Sequence, residues 1–462
     1  MDDDVDLAVV GSGGAAMAAA IAARQAGASV VLVERAVLGG TCVNIGCVPS
    51  KTLLAAAGTR HAALANPFPG APTSAGGVDL AALVGQKDDL VAQLRQTKYA
   101  DVAAAYGFEV RPGQATFTDG DTLTVDGQPL RARAYIIATG AEPDRPELPG
   151  LDQVDFLTST TAMEQQVLPE SLVVLGGGYV GMEQAQLFAH LGTQVTVVGR
   201  LAPRAEPELA AALAEVFAAD GITVLEEHAT AVETIDGGDA VQVVTASGRR
   251  VRGQRLLVAT GRRARTDGLH LAAAGVKTDE RGFVVVDEAQ RTANPRVYAA
   301  GDVTGAPQYV YVAAATGRVA GVNALADVGA RPAMVDYTGL PSVVFTRPQL
   351  ASAGLTEADA LAAGHDCTCR VLDLADVPRA LVNRDTRGAV KLVADAVTGR
   401  VLGVHALADG AGEMMLAATY AIRAGMSVDD LADTWAPYLT MAESLRIVAG
   451  TFRNELPTSC CA

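Results

Sequence analysis

A chain of 462 residues has room for about three domains at ~100–200 residues each, and half its residues are hydrophobic, enough for several cores. Its formal net charge of −16 argues against nucleic acid or an anionic membrane as a partner. The start Met-Asp-Asp-Asp is the reverse of a secretory leader, and the apolar run from Ala8 to Val33 is broken by Arg24 and Gln25, which predicts a soluble, cytoplasmic protein with no stable membrane association.

The chain opens on a predicted strand, Val5–Val10, then a glycine turn, an alanine-rich helix and a second strand, Ser29–Glu34. In the turn, Gly11, Gly13 and Gly14, with Ala16 in place of the third fingerprint glycine, let backbone pass close to a pyrophosphate at the helix N-terminus. Glu34 follows Gly11 by 23 residues, where a carboxylate can accept hydrogen bonds from both ribose hydroxyls of an adenosine without a 2′-phosphate. Directly after it, the segment Gly39–Lys51 (GGTCVNIGCVPSK) holds Cys42 and Cys47. Two cysteines so spaced, in a segment already committed to a dinucleotide, point to a disulfide stacked against a flavin. A further apolar strand, Tyr135–Gly140, ends in Ala-Thr-Gly, and Thr139 and Gly140 are counted with this first site.

Residues 171–200 repeat the plan: strand Leu172–Leu175, glycine turn, helix, strand Gln194–Arg200, with Leu256–Gly261 again ending in Ala-Thr-Gly. Gly176, Gly178 and Gly181 make a full fingerprint, followed by Tyr179. The same count of 23 from Gly176 falls on Gly199, so the ribose carboxylate is missing, and Arg200 and Arg204 stand nearby to accommodate a 2′-phosphate. This predicts NADPH rather than NADH. Residues 291–302 add a strand ending in Gly301-Asp302. After Tyr337, strands at Ser342–Thr346, Cys367–Leu374, Val390–Ala394 and Val401–Ala406 alternate with helices at 356–363, 411–424 and 428–433, which reads as a separate α+β domain.

These motifs together resemble the pyridine nucleotide–disulfide oxidoreductases, the family of glutathione reductase and dihydrolipoyl dehydrogenase, over essentially the whole chain. The resemblance implies an α/β fold with two Rossmann-like dinucleotide-binding domains, for FAD (1–150 and 266–337) and NADPH (151–265), plus a C-terminal α+β dimerisation domain (338–462) of a homodimer. It also implies that Cys47 lies nearest the flavin and that Cys42 is the exchanging thiol. Lys51 should reach the flavin and pair with Glu183. Thr41 and Asp302 should bind the FAD pyrophosphate and ribitol, Ala115 and Val310 should add backbone contacts, and Tyr179 should cover the flavin face until the nicotinamide displaces it.

The six cysteines fall into three close pairs, Cys42/Cys47, Cys367/Cys369 and Cys460/Cys461, a pattern of redox or soft-metal chemistry rather than of a disulfide framework. Disulfide reductases of this family use a histidine near the C-terminus to protonate the leaving thiolate. Here no histidine follows His405; Tyr438 takes its place in Pro437–Glu443, and Glu443 is retained. A metal ion on two thiolates needs no protonated leaving group, and Cys460-Cys461 suits a soft cation that prefers two near-linear thiolates, as Hg(II) does. The tail TSCCA, the run WAPYLTMAESL and GSGGAAMAAA resemble the branch of the family that reduces Hg(II), without the separate N-terminal metal-binding domain of some relatives. The ligands implied for Hg(II) are Cys460 and Cys461, from the partner subunit, and then Cys42 and Cys47. Phe156 stands where some relatives carry a tyrosine. Cys367 and Cys369 share one strand face, expected to be core, with an auxiliary metal site as the alternative.

Overall fold

The computed structural model describes residues 4–327 and 329–453, so Cys460 and Cys461 lie outside the described residues. The chain divides into two compact units, Met1–Thr52 with Ala82–Arg145 and Gly261–Asp336, and Leu53–Ala81 with Pro146–Thr260 and Tyr337–Ala462.

In the first unit a parallel five-stranded sheet runs in the order Val297–Ala299, Ala132–Ile137, Val5–Val10, Val30–Glu34, Glu109–Pro112. Its strands are continuous apolar runs because both faces are covered. One face, with Ala8, Val10, Val31, Val33 and Ile137, packs on Phe117, Leu123 and Phe283. The other, with Leu7, Val9, Leu32 and Ile136, lies under Ala15, Ala16, Ala19, Ala20 and Ala23 of the helix Gly14–Gln25. Alanine favours the helix and leaves a low face, so the helix can lie close to the sheet.

The second unit repeats that topology. A parallel sheet runs Thr223–Leu225, Gln194–Leu201, Ser171–Gly177, Arg255–Val258. Each unit also carries a three-stranded antiparallel sheet between the third and last of these parallel strands: Ala115–Phe117, Leu123–Val125, Gln128–Leu130 in the first, and Ala229–Ile235, Ala240–Thr245, Arg250–Gly253 in the second. The repeated Ala-Thr-Gly has a physical cause. A Cβ on Gly11 would stand 2.4 Å from the carbonyl oxygen of Ala138, and one on Gly176 would stand 2.5 Å from that of Ala259. In each unit the first fingerprint glycine packs bare backbone on the Ala-Thr that ends the neighbouring strand.

The C-terminal part of the second unit is an antiparallel sheet in the order Pro341–Val344, Gln349–Gly354, Val401–Ala408, Ala389–Asp395, Cys367–Asp373. The helices Ala411–Ala424 and Glu443–Gly450 bury Met414, Met415, Ala418, Leu445 and Val448 in its core. No helix among the described residues is long and apolar enough to cross a membrane.

One buried polar node ties this unit together. Asp220 accepts from His190 Nε2 (2.9 Å) and Gln186 Nε2 (2.8 Å), with His61 Nε2 at 3.6 Å and Arg387 Nη1 at 3.7 Å. The His61 and His190 rings stack at 3.8 Å. His61, His190 and Asp220 have the donor types of a metal site. The Asp220 carboxylate already accepts from His190 and Gln186, and the arrangement serves here as a hydrogen-bonded node. Burial, then the neighbouring His190, holds the His61 imidazole below its ordinary range. A histidine depressed in this way stabilises the fold above its unfolded pKa, near 6.5, and that stability is lost as pH falls through the folded value. Thermal melting should therefore weaken from pH 7 to pH 5, and His61→Gln should make the decline shallower; an unchanged slope would remove His61 from this role.

Candidate active site

The first glycine loop is wired to its neighbours by a residue the sequence reading passed over. Ser12, buried between Gly11 and Gly13, donates its hydroxyl to Glu34 Oε2 (2.6 Å) and accepts from the Gly39 amide (3.0 Å). Glu34 Oε1 accepts from the Ala36 amide (2.8 Å). The loop, the ribose carboxylate and the start of the cysteine segment are thus one hydrogen-bonded assembly. Gly13 caps the helix Gly14–Gln25 with no side-chain hydrogen bond, and the first turn carries no acid, so its amides face outward for an anion. Val310 starts the helix Val310–Leu325, and its side chain would stand 3.3 Å from a Cβ on Gly14. Thr139 Oγ1 donates to the Arg265 carbonyl (2.6 Å), and Gly140 accepts from the Arg265 amide (2.9 Å).

Cys42 lies in the short helix Gly40–Asn44 with Thr41, and Cys47 opens the helix Cys47–Leu64, with Lys51 one turn on. The hydrogen bond between the two thiols, then burial, pushes the Cys42 thiol well up from its ordinary range, against the pull of Lys51. Cys42 therefore keeps its proton at neutral pH. Tyr99, on a π-helical turn at Gln96–Ala100, lies near enough to feel both cysteines; burial and then their charge push its phenol up to about 12. Such turns concentrate at functional sites. Deeper in the same unit, burial raises the Asp302 carboxyl, opposed by Arg262 and Arg265. Arg262 also donates to the Ala141 carbonyl. A bare-backbone phosphate loop, a ribose carboxylate, a half-buried Asp302 and a cysteine pair on one unit are the donor set that FAD requires, so these residues fit that group. Ala115 is carried on the unit's three-stranded sheet and is buried.

In the second unit, Gly178 caps the helix Tyr179–Leu191, again with no side-chain hydrogen bond and no acid in the first turn. A Cβ on Gly181 would stand 2.0 Å from the Gly176 carbonyl oxygen, so the helix rests directly on the loop. Gly199 is more than a missing carboxylate. Its φ is +142°, the strand pairing is irregular between Val198 and Leu201, and a Cβ there would stand 3.2 Å from Gly176 Cα and 3.3 Å from Gly177 N. The backbone of the second strand lies close against the glycine loop, so a side chain at 199 would be crowded and its backbone strained. Arg200 and Arg204 are both exposed. The set fits the phosphates of a nicotinamide dinucleotide. The Tyr179 hydroxyl is 3.3 Å from Ser342 Oγ. Glu183 is buried, and its Oε1 accepts from the Phe345 amide (2.9 Å).

Tyr438 is about half exposed, on the segment before the helix Glu443–Gly450. The buried Glu443 explains why a glutamate persists there without a histidine. Its Oε2 accepts from the Leu439 amide (3.2 Å), and its Oε1 accepts from Arg446 (3.3 Å), while Leu439 sits at φ +61°. Glu443 holds the turn that presents Tyr438. Phe156 packs against the apolar cluster of Leu151, Val154 and Val173, so its ring does core work.

Two family models cover most of the chain: "Pyridine nucleotide-disulphide oxidoreductase" over residues 5–317, and its dimerisation domain over residues 340–449. A mercuric reductase of Streptomyces lividans is 55% identical over 99% of this chain and 98% of its own length. Those of Lysinibacillus sphaericus and Staphylococcus aureus are 46% and 45% identical over 100% of this chain and 85% of their own. Among solved structures, the HOCl-induced flavoprotein disulfide reductase RclA of Escherichia coli, as a Cu(II) complex, matches with a TM-score of 0.85 at 30% identity, covering 97% of this chain and 99% of its own.

Proposed function

Since this chain belongs to the pyridine nucleotide-disulphide oxidoreductase family, we propose that it is a mercury(II) reductase, taking two electrons from a nicotinamide dinucleotide to convert thiol-bound Hg(II) to Hg(0). What carries the reading is full-length likeness to mercuric reductases joined to a chain end with no histidine after His405 and two terminal cysteines. One NADPH supplies the electron pair for each mercury, giving NADP+, H+ and Hg(0). Bound at the first unit's glycine loop, FAD would carry that pair from the nicotinamide to the cysteine pair.

The finer assignments are ours. Residues 1–150 and 266–337 form the FAD domain, 151–265 the NADPH domain and 338–462 the dimerisation domain. Gly11, Gly13, Gly14, Ala16, Thr41 and Asp302 hold FAD, with Glu34 on its ribose and Ala115 and Val310 adding backbone contacts. Lys51 and Glu183 pair beside Cys47. Gly176, Gly178 and Gly181 hold NADPH, with Arg200 and Arg204 on its 2′-phosphate and Tyr179 as the gate. Hg(II) arrives in the cytoplasm on a carrier thiol and is extracted by Cys460 and Cys461 of the partner subunit. It passes by thiolate exchange to Cys42 and Cys47, with Tyr438 beside the path. Hg(0) has no affinity for thiolate and leaves.

The test is NADPH oxidation by the purified flavoprotein with either an Hg(II)–dithiol complex or oxidised glutathione as acceptor. Mercury should support turnover and glutathione disulfide should not; the reverse preference would sink the reading. kcat/KM should be clearly higher for NADPH than for NADH, and Arg200→Glu should narrow the gap about tenfold or more, as loss of a charge-assisted phosphate contact predicts.

A further inference from the structure

Of the three cysteine pairs, Cys367/Cys369 has no part in this reaction. Both lie on the outer strand Cys367–Asp373 of the C-terminal sheet. Strand alternation puts them on one face, roughly 6.6 Å apart along the chain. That face is not the core. Leu372 on the opposite face is buried in the apolar cluster, whereas Cys367 and Cys369 are half-buried and Val371 is exposed. The register sets Cys367 opposite Asp395, Cys369 opposite Val393 and Val371 opposite Lys391. The Cys369 thiol hydrogen-bonds Glu357 and feels both Lys391 and Cys367.

Lys391, one of only five lysines, is buried and fills the carboxylate cage beside them. Its Nζ donates to Glu357 (2.7 Å), Glu206 (2.9 Å) and Glu208 (3.0 Å). Those carboxylates already surround an ammonium, so a hard cation such as Mg(II) or Ca(II) would have to compete with Lys391 for them. Two half-buried thiols on one strand face remain, which is the donor set of a soft cation. We propose that Cys367 and Cys369 form a dithiol site that holds one thiophilic, two-coordinate cation of the Hg(II) type, separate from Cys42 and Cys47. The site stands whether or not the chain turns mercury over.

Loading is ligand exchange without redox. An Hg(II) bis-thiolate and two protein thiols give a protein-bound bis-thiolate and two free thiols. Two protons leave for each dication that enters, so the local charge does not change and partial burial carries little electrostatic penalty. The groups around the thiols set the rate. Burial, then the Glu357 carboxylate, pushes the Cys369 thiol up to about 12, with Lys391 pulling the other way and Cys367 adding to the rise. Asp395, bonded to His365, flanks Cys367.

The test uses oxidised holoenzyme carrying Cys460→Ala/Cys461→Ala, equilibrated with the bis-glutathione complex of Hg(II) without NADPH, then analysed by native mass spectrometry. It should retain about one mercury per subunit, and adding Cys367→Ser/Cys369→Ser should remove it. Tail-intact Cys367→Ser/Cys369→Ser should keep wild-type melting and NADPH-linked turnover. Equal mercury content with and without Cys367 and Cys369 would overturn the proposal, as would retention by Cys367→Ser alone at wild-type resistance to glutathione.

Discussion

Cys42→Ala should end turnover with every form of Hg(II), dithiol complex and halide alike, while flavin binding stays at wild-type level. The thiol is one member of a pair whose other member opens the helix Cys47–Leu64. Losing it leaves mercury one protein thiolate where two are needed, and leaves Cys47 no partner for a disulfide. NADPH oxidation driven by mercury should drop by several orders of magnitude, the scale seen when a covalent or ligand group is removed outright. Because Cys42 keeps its proton at neutral pH, exchange onto the wild-type pair should quicken as pH rises from 6 to 9. Mercury turnover in the alanine variant above the uncatalysed rate would exclude Cys42 as a ligand.

The second large effect concerns the tail. Cys460→Ala/Cys461→Ala should leave flavin content and NADPH reduction of Cys42–Cys47 intact. It should cripple turnover of mercury held in a bulky dithiol complex by orders of magnitude, while sparing more of the activity with HgCl2 or HgBr2. Small halides can reach an inner pair directly; a chelated mercury must first be attacked by a mobile thiolate. Stopped-flow comparison of the two substrates reads the difference. If the variant handles dithiol-bound mercury like wild type, the terminal pair has no part in delivery.

Much of this architecture was legible because its signals are local. The helices Ala411–Ala424 and Val428–Asp433 fall on the bounds read from sequence, the second fixed by the Ser427–Asp430 capping box. Both βαβ openings follow from apolar runs closed by glycines. Strand ends were less legible. The strand read to Gly140 stops at Ile137, because Gly140 turns at φ +74°. The inner strand Gln349–Gly354 drew no expectation, since Ser352 and Gly354 break its apolar pattern and its neighbours on both sides supply its order. The residues passed over at the site share one trait. Ser12, Tyr99 and Arg262 act on partners 22 to 121 positions away, and no local pattern announces such a pairing.

Gly199 has a consequence for anyone wishing to rewire the cofactor. The usual route from a phosphorylated to a plain nicotinamide dinucleotide puts an acid at the end of the second strand of the fold. In this chain backbone resists that route, because a side chain at 199 would crowd the glycine loop and take up a strained, positive-φ conformation. Arg200, on the exposed rim, offers a place to change the coenzyme without that strain.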